Sequence, residues 1–212
     1  MAALTFKSSC RRCERLASFL KEVKHDYPDY HARPVAPFGS EQPKLLIVGL
    51  APGMHGANAT GRPFTGDYAG ILLYETLYEF GFSNQPESTH RDDGLELIDC
   101  RITNAVKCLP PQNKPTTEEI ATCNDFLRAE LEGLKGKTVV LALGGIAHKA
   151  VLKALGLKIK DYPFKHAGCY AIDDNLTLLT SYHCSRYNTQ TRRLTPKMFK
   201  GIFRQARKLI GK

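Results

Sequence analysis

The chain has no tryptophan, three methionines, and no acidic residue after Asp174. It also lacks any apolar run near the roughly 20 residues that a membrane-spanning helix needs, so no membrane partner is expected. Its opening, MAALTFKSSCRRC, contains nothing like the apolar core of a signal peptide, and a cytoplasmic location is the expectation. There is no GxxxxGK[ST] motif, and the long glycine loop described below has no GxGxxG, which argues against a nucleotide-binding module. Repeats, low-complexity tracts and linker-like segments are absent as well. The 212 residues are therefore read as a single domain, 1–212, with one sizeable core.

The missing acids decide where the charge sits. All 21 Asp and Glu lie before Asn175, together with 21 of the 30 Lys and Arg, so the net charge of +9 falls in the last 38 residues. A segment of one sign suits a polyanion, because each Lys or Arg that meets a phosphate releases counterions. Residues 196–210 read as an amphipathic helix, with Lys197, Lys200, Arg204 and Lys208 on one face and Phe199, Ile202, Phe203 and Ala206 on another. A solvated basic helix without a partner has the same pattern, so charge alone leaves both readings open.

What is present is an alternation of helices and short, nearly all-apolar strands. A helix is expected after Ser8 or Ser9, with Leu16, Phe19, Leu20 and Val23 inward. KLLIV, DCRITNAV and KTVVLALG read as strands. YAGILLYETLYEF, the segment opened by the capping box Thr116-x-x-Glu119, and GIAHKAVLKALG read as helices, and CYAIDDNLTLLTSYH as two short strands around an Asp-Asn turn. Apolar strands separated by helices indicate an α/β protein with a parallel sheet covered on both faces, a three-layer α/β/α sandwich. In such sheets ligands bind beyond the carboxyl ends of the strands. Three polar loops leave those ends: the 22-residue GLAPGMHGANATGRPFTGDYAG, TNAVKC and SYHCSRYN. They are expected to converge on one crevice.

Seven cysteines in a chain read as cytoplasmic point to thiols or metal ligands before disulfides. Cys10 and Cys13 form a CxxC, and Cys108 and Cys123 are candidates to complete a set of four. Cys123 also fits the apolar face of its helix, three residues from Ile120 and from Phe126. Spacing leaves tetrahedral zinc and an iron–sulfur cubane equally open.

The three loop motifs, in this order and behind the CxxC, resemble the uracil-DNA glycosylase superfamily, and within it family 5, the iron–sulfur type. The resemblance runs from Cys10 to about Thr195. It implies a central four-stranded parallel sheet. It also implies a [4Fe–4S] cluster on Cys10, Cys13, Cys108 and Cys123, and hydrolysis of the N-glycosidic bond of uracil in DNA, with hypoxanthine and xanthine as further substrates. Two positions depart from the wider superfamily. Leu50 and Ala51 stand where most branches carry Asp, Asn or Glu to position water, and Cys184 replaces the proline of the usual His-Pro-Ser.

The chemistry singles out residues independently of the family. Breaking the C1′–N bond builds positive charge on the sugar and negative charge on the departing base. Asp67, the only carboxylate of the long loop, is the candidate to stabilise the cation or orient water, although it is equally placed to cap the helix that starts at Tyr68. His183 is expected to donate a hydrogen bond to the base, and Asn104 to read its edge. Phe64 is expected to stack on the base, with His55 near the base or a phosphate. Gly49, Ala51 and Gly53 are expected to bring backbone close to the substrate, and Ser185 and Arg186 to meet the DNA. A monomer acting on DNA that contains deaminated bases is the expected assembly. The rival expectation is a DNA-binding protein around a structural metal that releases no base.

Overall fold

The computed structural model describes residues 6–211. Its strands are β1 (Phe38–Gly39), β2 (Leu45–Gly49), β3 (Cys100–Asn104), β4 (Thr138–Leu143), β5 (Cys169–Ala171) and β6 (Leu176–Ser181). They form one sheet in the order β1-β3-β2-β4-β6-β5. Registers within β3-β2-β4-β6 are parallel, whereas β1 pairs antiparallel with β3 and β5 antiparallel with β6. The four parallel strands are the centre of the sheet, and two antiparallel edge strands extend it to a mixed sheet of six. Two residues of β1 are too few to leave a periodic signal, and the hairpin across the Asp173–Asn175 turn makes β5 a sheet edge.

The helices are α1 (Glu14–Asp26), α2 (Ala57–Thr60), α3 (Tyr68–Glu79), α4 (Thr117–Glu132), α5 (Gly145–Ala154), α6 (Arg186–Gln190) and α7 (Pro196–Leu209). Alternate residues of β2 face opposite sides, as the two-residue period of a strand requires. Leu45 and Ile47 pack with α3 and α7, while Leu46 and Val48 pack with α4 and α5. Both sides of the sheet are therefore covered, which is why β2 and β4 are apolar at almost every position. On α7 the residues expected to face inward, Phe199, Ile202, Phe203 and Ala206, are all buried.

A third cluster docks α1 at the side of this sandwich, joining Leu16, Leu20 and Val23 to Cys108, Cys123 and Phe126. The helix starts at Glu14, later than expected, because residues 7–13 turn instead: the Cys10 N–H donates to the Lys7 carbonyl, and Cys13 is extended. Phe19 is half-buried at its edge. Paired registers put Gly49 beside Asn104 and Leu143 beside Ser181, so β2, β3, β4 and β6 all end at the same edge of the sheet.

Candidate active site

A cavity of about 360 Å3 opens at that edge. Of the residues expected at a site, Ala51, Gly53, Phe64, Asp67, Asn104, His183 and Ser185 line it, drawn from all three loops. Leu50, which stands at the position where most branches position water, lines it too, as do Ala57, Ala69 and Asn113, which sequence reasoning missed. Asn113 arrives with a positive φ of 57° on a turn after β3, a placement no periodicity encodes.

Three expected residues lie elsewhere. Gly49 sits beneath the cavity, where a Cβ would meet Asn104 Oδ1 at 2.4 Å and the Phe64 ring at 2.8 Å. Only a glycine lets those two side chains close over the end of β2. His55 is exposed and held outside the cavity, with Nδ1 2.8 Å from the Tyr30 hydroxyl and its ring edge-on to Tyr27 and Tyr30. Arg186 opens α6 on the surface, its guanidinium 5.9 Å from the centre of the Tyr68 ring.

The glycine loop is clamped. Arg62 is buried and donates to Asp93 at 2.7 Å, to Ser88 at 3.0 Å and to the Arg91 carbonyl, with its guanidinium 4.6 Å from the centre of the Phe38 ring. The Tyr74 hydroxyl donates to the Pro63 carbonyl at 2.7 Å. Between these fixtures Phe64 is held at φ +55°, a conformation that costs a non-glycine residue on the order of 1–3 kcal/mol and persists only where its surroundings enforce it. The ring lies nearly parallel to His183, 5.8 Å between centres.

Asp67 lines the cavity and also caps the helix that follows it. Its extended backbone and side chain cap α3, with the Gly70 N–H donating to Oδ1 at 2.9 Å. Oδ2 faces Gly56 and Gly53, and a Cβ at Gly56 would meet it at 2.7 Å. Burial raises the Asp67 pKa above the ordinary aspartate value, and donation from the Gly70 and Ala69 N–H groups opposes that rise. Burial also drives the His183 pKa down to about 4, which leaves the imidazole neutral at physiological pH. His183 Nδ1 and Asn104 Oδ1 are both buried without a hydrogen-bond partner. Two residues that line one cavity thus each carry an orphaned polar atom, as a place built to meet a polar ligand would.

Between α1, α4 and the loop after β3, Cys10, Cys13, Cys108 and Cys123 line a second, smaller cavity. No disulfide joins them. Burial raises the Cys13 pKa to about 11 and pushes Cys108 and Cys123 upward, and the thiols act on one another electrostatically. The Lys107 N–H donates to Cys123 Sγ at 3.3 Å. Ion pairs from Arg12 to Asp125 and from Arg15 to Glu119 bind α1 to α4 beside them. Among the described residues, no three His, Cys, Asp or Glu side chains gather closely enough to chelate one ion.

The sequence profile of the Uracil DNA glycosylase superfamily matches residues 36–207. The chain belongs to that superfamily. A type-5 uracil-DNA glycosylase of Thermus thermophilus is 46% identical over 209 residues, which cover 96% of this chain and 95% of that protein. Those of Mycobacterium leprae and Pyrobaculum aerophilum are 44% and 43% identical, over 96% and 93% of this chain and 93% and 88% of theirs. The superfamily match starts after Cys10 and Cys13, whereas the similarity to these type-5 relatives extends over nearly the whole chain.

Proposed function

We propose that this superfamily member is a monofunctional DNA glycosylase that takes uracil out of the DNA stack and hydrolyses its N-glycosidic bond, the first step of base excision repair. The observation that carries the reading is the meeting of Asp67, Asn104 and His183 in one cavity, two of them presenting buried polar atoms with no partner in the protein. The type-5 names of its relatives support the same reading.

Each residue has a task in this scheme. The Phe64 ring, fixed against His183, offers a stacking surface for the flipped base. Asn104 Oδ1 accepts from uracil N3–H, a donor that cytosine lacks. As the C1′–N1 bond stretches, the Asp67 side chain faces the growing positive charge on the sugar and orients the attacking water from the same side. Leu50 and Ala51 supply no polar side chain for that purpose, so the carboxylate falls to Asp67. His183 is neutral, and it stabilises the departing base as an N–H donor. The cavity has room for a purine, and hypoxanthine and xanthine carry the same N–H and C=O edge as uracil. They are included in the proposed range.

Cys10, Cys13, Cys108 and Cys123 line one small cavity and would hold the [4Fe–4S] cluster that the type-5 resemblance implies, through their thiolates. When bound, the cluster supplies a covalent tie between the amino-terminal segment, the loop after β3 and α4, since hydrolysis transfers no electrons. The Lys107 N–H then supports the Cys123 thiolate.

An excision assay on a duplex with a single uracil, followed by alkaline cleavage at abasic sites, tests the proposal. Cleavage at uracil and none at cytosine is the expected result. DNA binding without base release would leave the rival DNA-binding reading instead. A brown protein absorbing broadly near 400 nm is expected from the cluster, and a colourless protein with one zinc would overturn the cluster alone.

A further inference from the structure

Sequence composition describes residues 1–174 as neutral, but the fold sorts their charges. Residues 17, 20, 21 and 24 share one face of α1 by helical spacing. With the turn before the helix and residues 32–34 opposite, they form a groove of about 310 Å3. Arg11, Lys21, Lys24 and Arg33 line it, and no acidic residue does. All four are exposed. Two neighbouring arginines behave differently: Arg12 and Arg15 point to the other side and are neutralised by Asp125 and Glu119. Among the described residues none of the four groove cations forms an ion pair, and Lys24 donates only to the Tyr30 carbonyl, at 2.6 Å.

The groove is joined to the base cavity through the backbone. The His31 N–H donates to the Ala59 carbonyl at 2.8 Å and the Ala32 N–H to Asn58 at 3.0 Å, both in the glycine loop. The Val35 N–H donates to Lys107 at 2.7 Å, just beyond β3. Tyr30 reaches across to His55. One wall of the groove is therefore continuous with the loops that line the cavity. Four unpaired cations without a carboxylate make a site for a chain of phosphates.

From this juxtaposition we infer that the α1 groove holds the phosphate backbone of the DNA flanking the extruded base, on a surface distinct from the basic face of α7. The inference rests on the glycosylase reading for the identity of the polyanion. Phosphate contacts of this kind position a duplex without reading its sequence.

The test is the salt dependence of duplex binding by the full chain, measured by fluorescence anisotropy, with Arg11, Lys21, Lys24 and Arg33 all changed to Gln. The slope of log affinity against log salt should become shallower by about 2 to 3, given about 0.9 per lost phosphate contact. On a duplex trimmed to a few base pairs either side of the uracil, wild type and variant should converge, because the trimmed DNA does not reach the groove. A slope equal to that of the wild type, or an equal loss on the trimmed duplex, would overturn the proposal. If the fourfold variant melts early, Lys21→Gln alone, at an exposed position, should still remove about one contact from the slope. A wild-type protein that binds uracil-containing duplex yet releases no base would overturn the glycosylase reading, and the slope comparison would still decide the groove.

Discussion

The two cavities beyond the carboxyl end of β3 are built to opposite rules. The base cavity is open, lined by three loops, and keeps polar atoms buried without partners in Asn104 and His183. The cysteine cavity is small, fringed by Leu16, Val106 and Phe126, and flanked by ion pairs that close on themselves. One leaves its hydrogen-bonding capacity unspent, and the other gathers thiols whose raised pKa values disfavour thiolates, the form that the proposed cluster would stabilise. The difference separates binding and chemistry from stability: damage to the first should lower rate in a folded protein, and damage to the second should lower folding first.

The largest effect expected from that contrast lies in the cysteine cavity. Cys123→Ala should bleach the protein and lower its stability by on the order of 4 kcal/mol, much of a small protein's margin. Cys100→Ala should keep the colour. Visible absorption and thermal melting of the two variants check this. Bleaching of both would place the cluster on a different cysteine set.

In the base cavity, His183→Ala should slow single-turnover excision by about 10²-fold with little loss of DNA binding. Its stability should even improve in acid. Folded His183 stays neutral down to about pH 4, whereas an unfolded histidine takes up a proton near pH 6.5. The contribution of this residue is present above pH 6.5 and is lost as pH falls from there toward 4. Melting curves across that range should be flatter for the variant, and parallel curves would contradict the burial argument.

A smaller effect should bridge the two behaviours. Gly49→Ala places a Cβ against Asn104 and Phe64 and should cost roughly 1–3 kcal/mol of stability, together with about a tenfold drop in excision. Loss of stability with a wild-type rate would mean that the Asn104 amide does not need its present position. The smallest effect belongs to neither cavity. Lys197, Arg204 and Lys208 are exposed on α7, whereas Lys200 pairs with Glu79. Neutralising the three free residues should make the salt slope of DNA binding shallower by about 1 to 2 without changing base preference.

Much of this was legible in the sequence, for identifiable reasons. The apolar strands, the Thr116/Glu119 capping box and the buried face of α7 all follow from local periodicity, and the structure has each of them. Asp67, Asn104 and His183 were legible because strand ends of a parallel sheet converge. What stayed hidden depends on distant partners. Arg62 needs Asp93, 31 positions away, before it becomes a clamp, and the positive φ of Phe64 follows from that clamp and not from its own residue type. The groove on α1 was hidden by averaging: a neutral count over residues 1–174 cannot show that four cations share one wall while their acids face elsewhere.

The central claim is that Asp67 does chemistry as well as capping α3, and one measurement separates the two roles. Asparagine caps a helix about as well as aspartate, so Asp67→Asn should fold and bind DNA normally. Single-turnover excision of uracil at saturating enzyme should then be slower by about 10²-fold or more, at least roughly 2.7 kcal/mol of transition-state stabilisation. A rate within about threefold of the wild type would remove Asp67 from the mechanism and leave His183 and Asn104 to carry it.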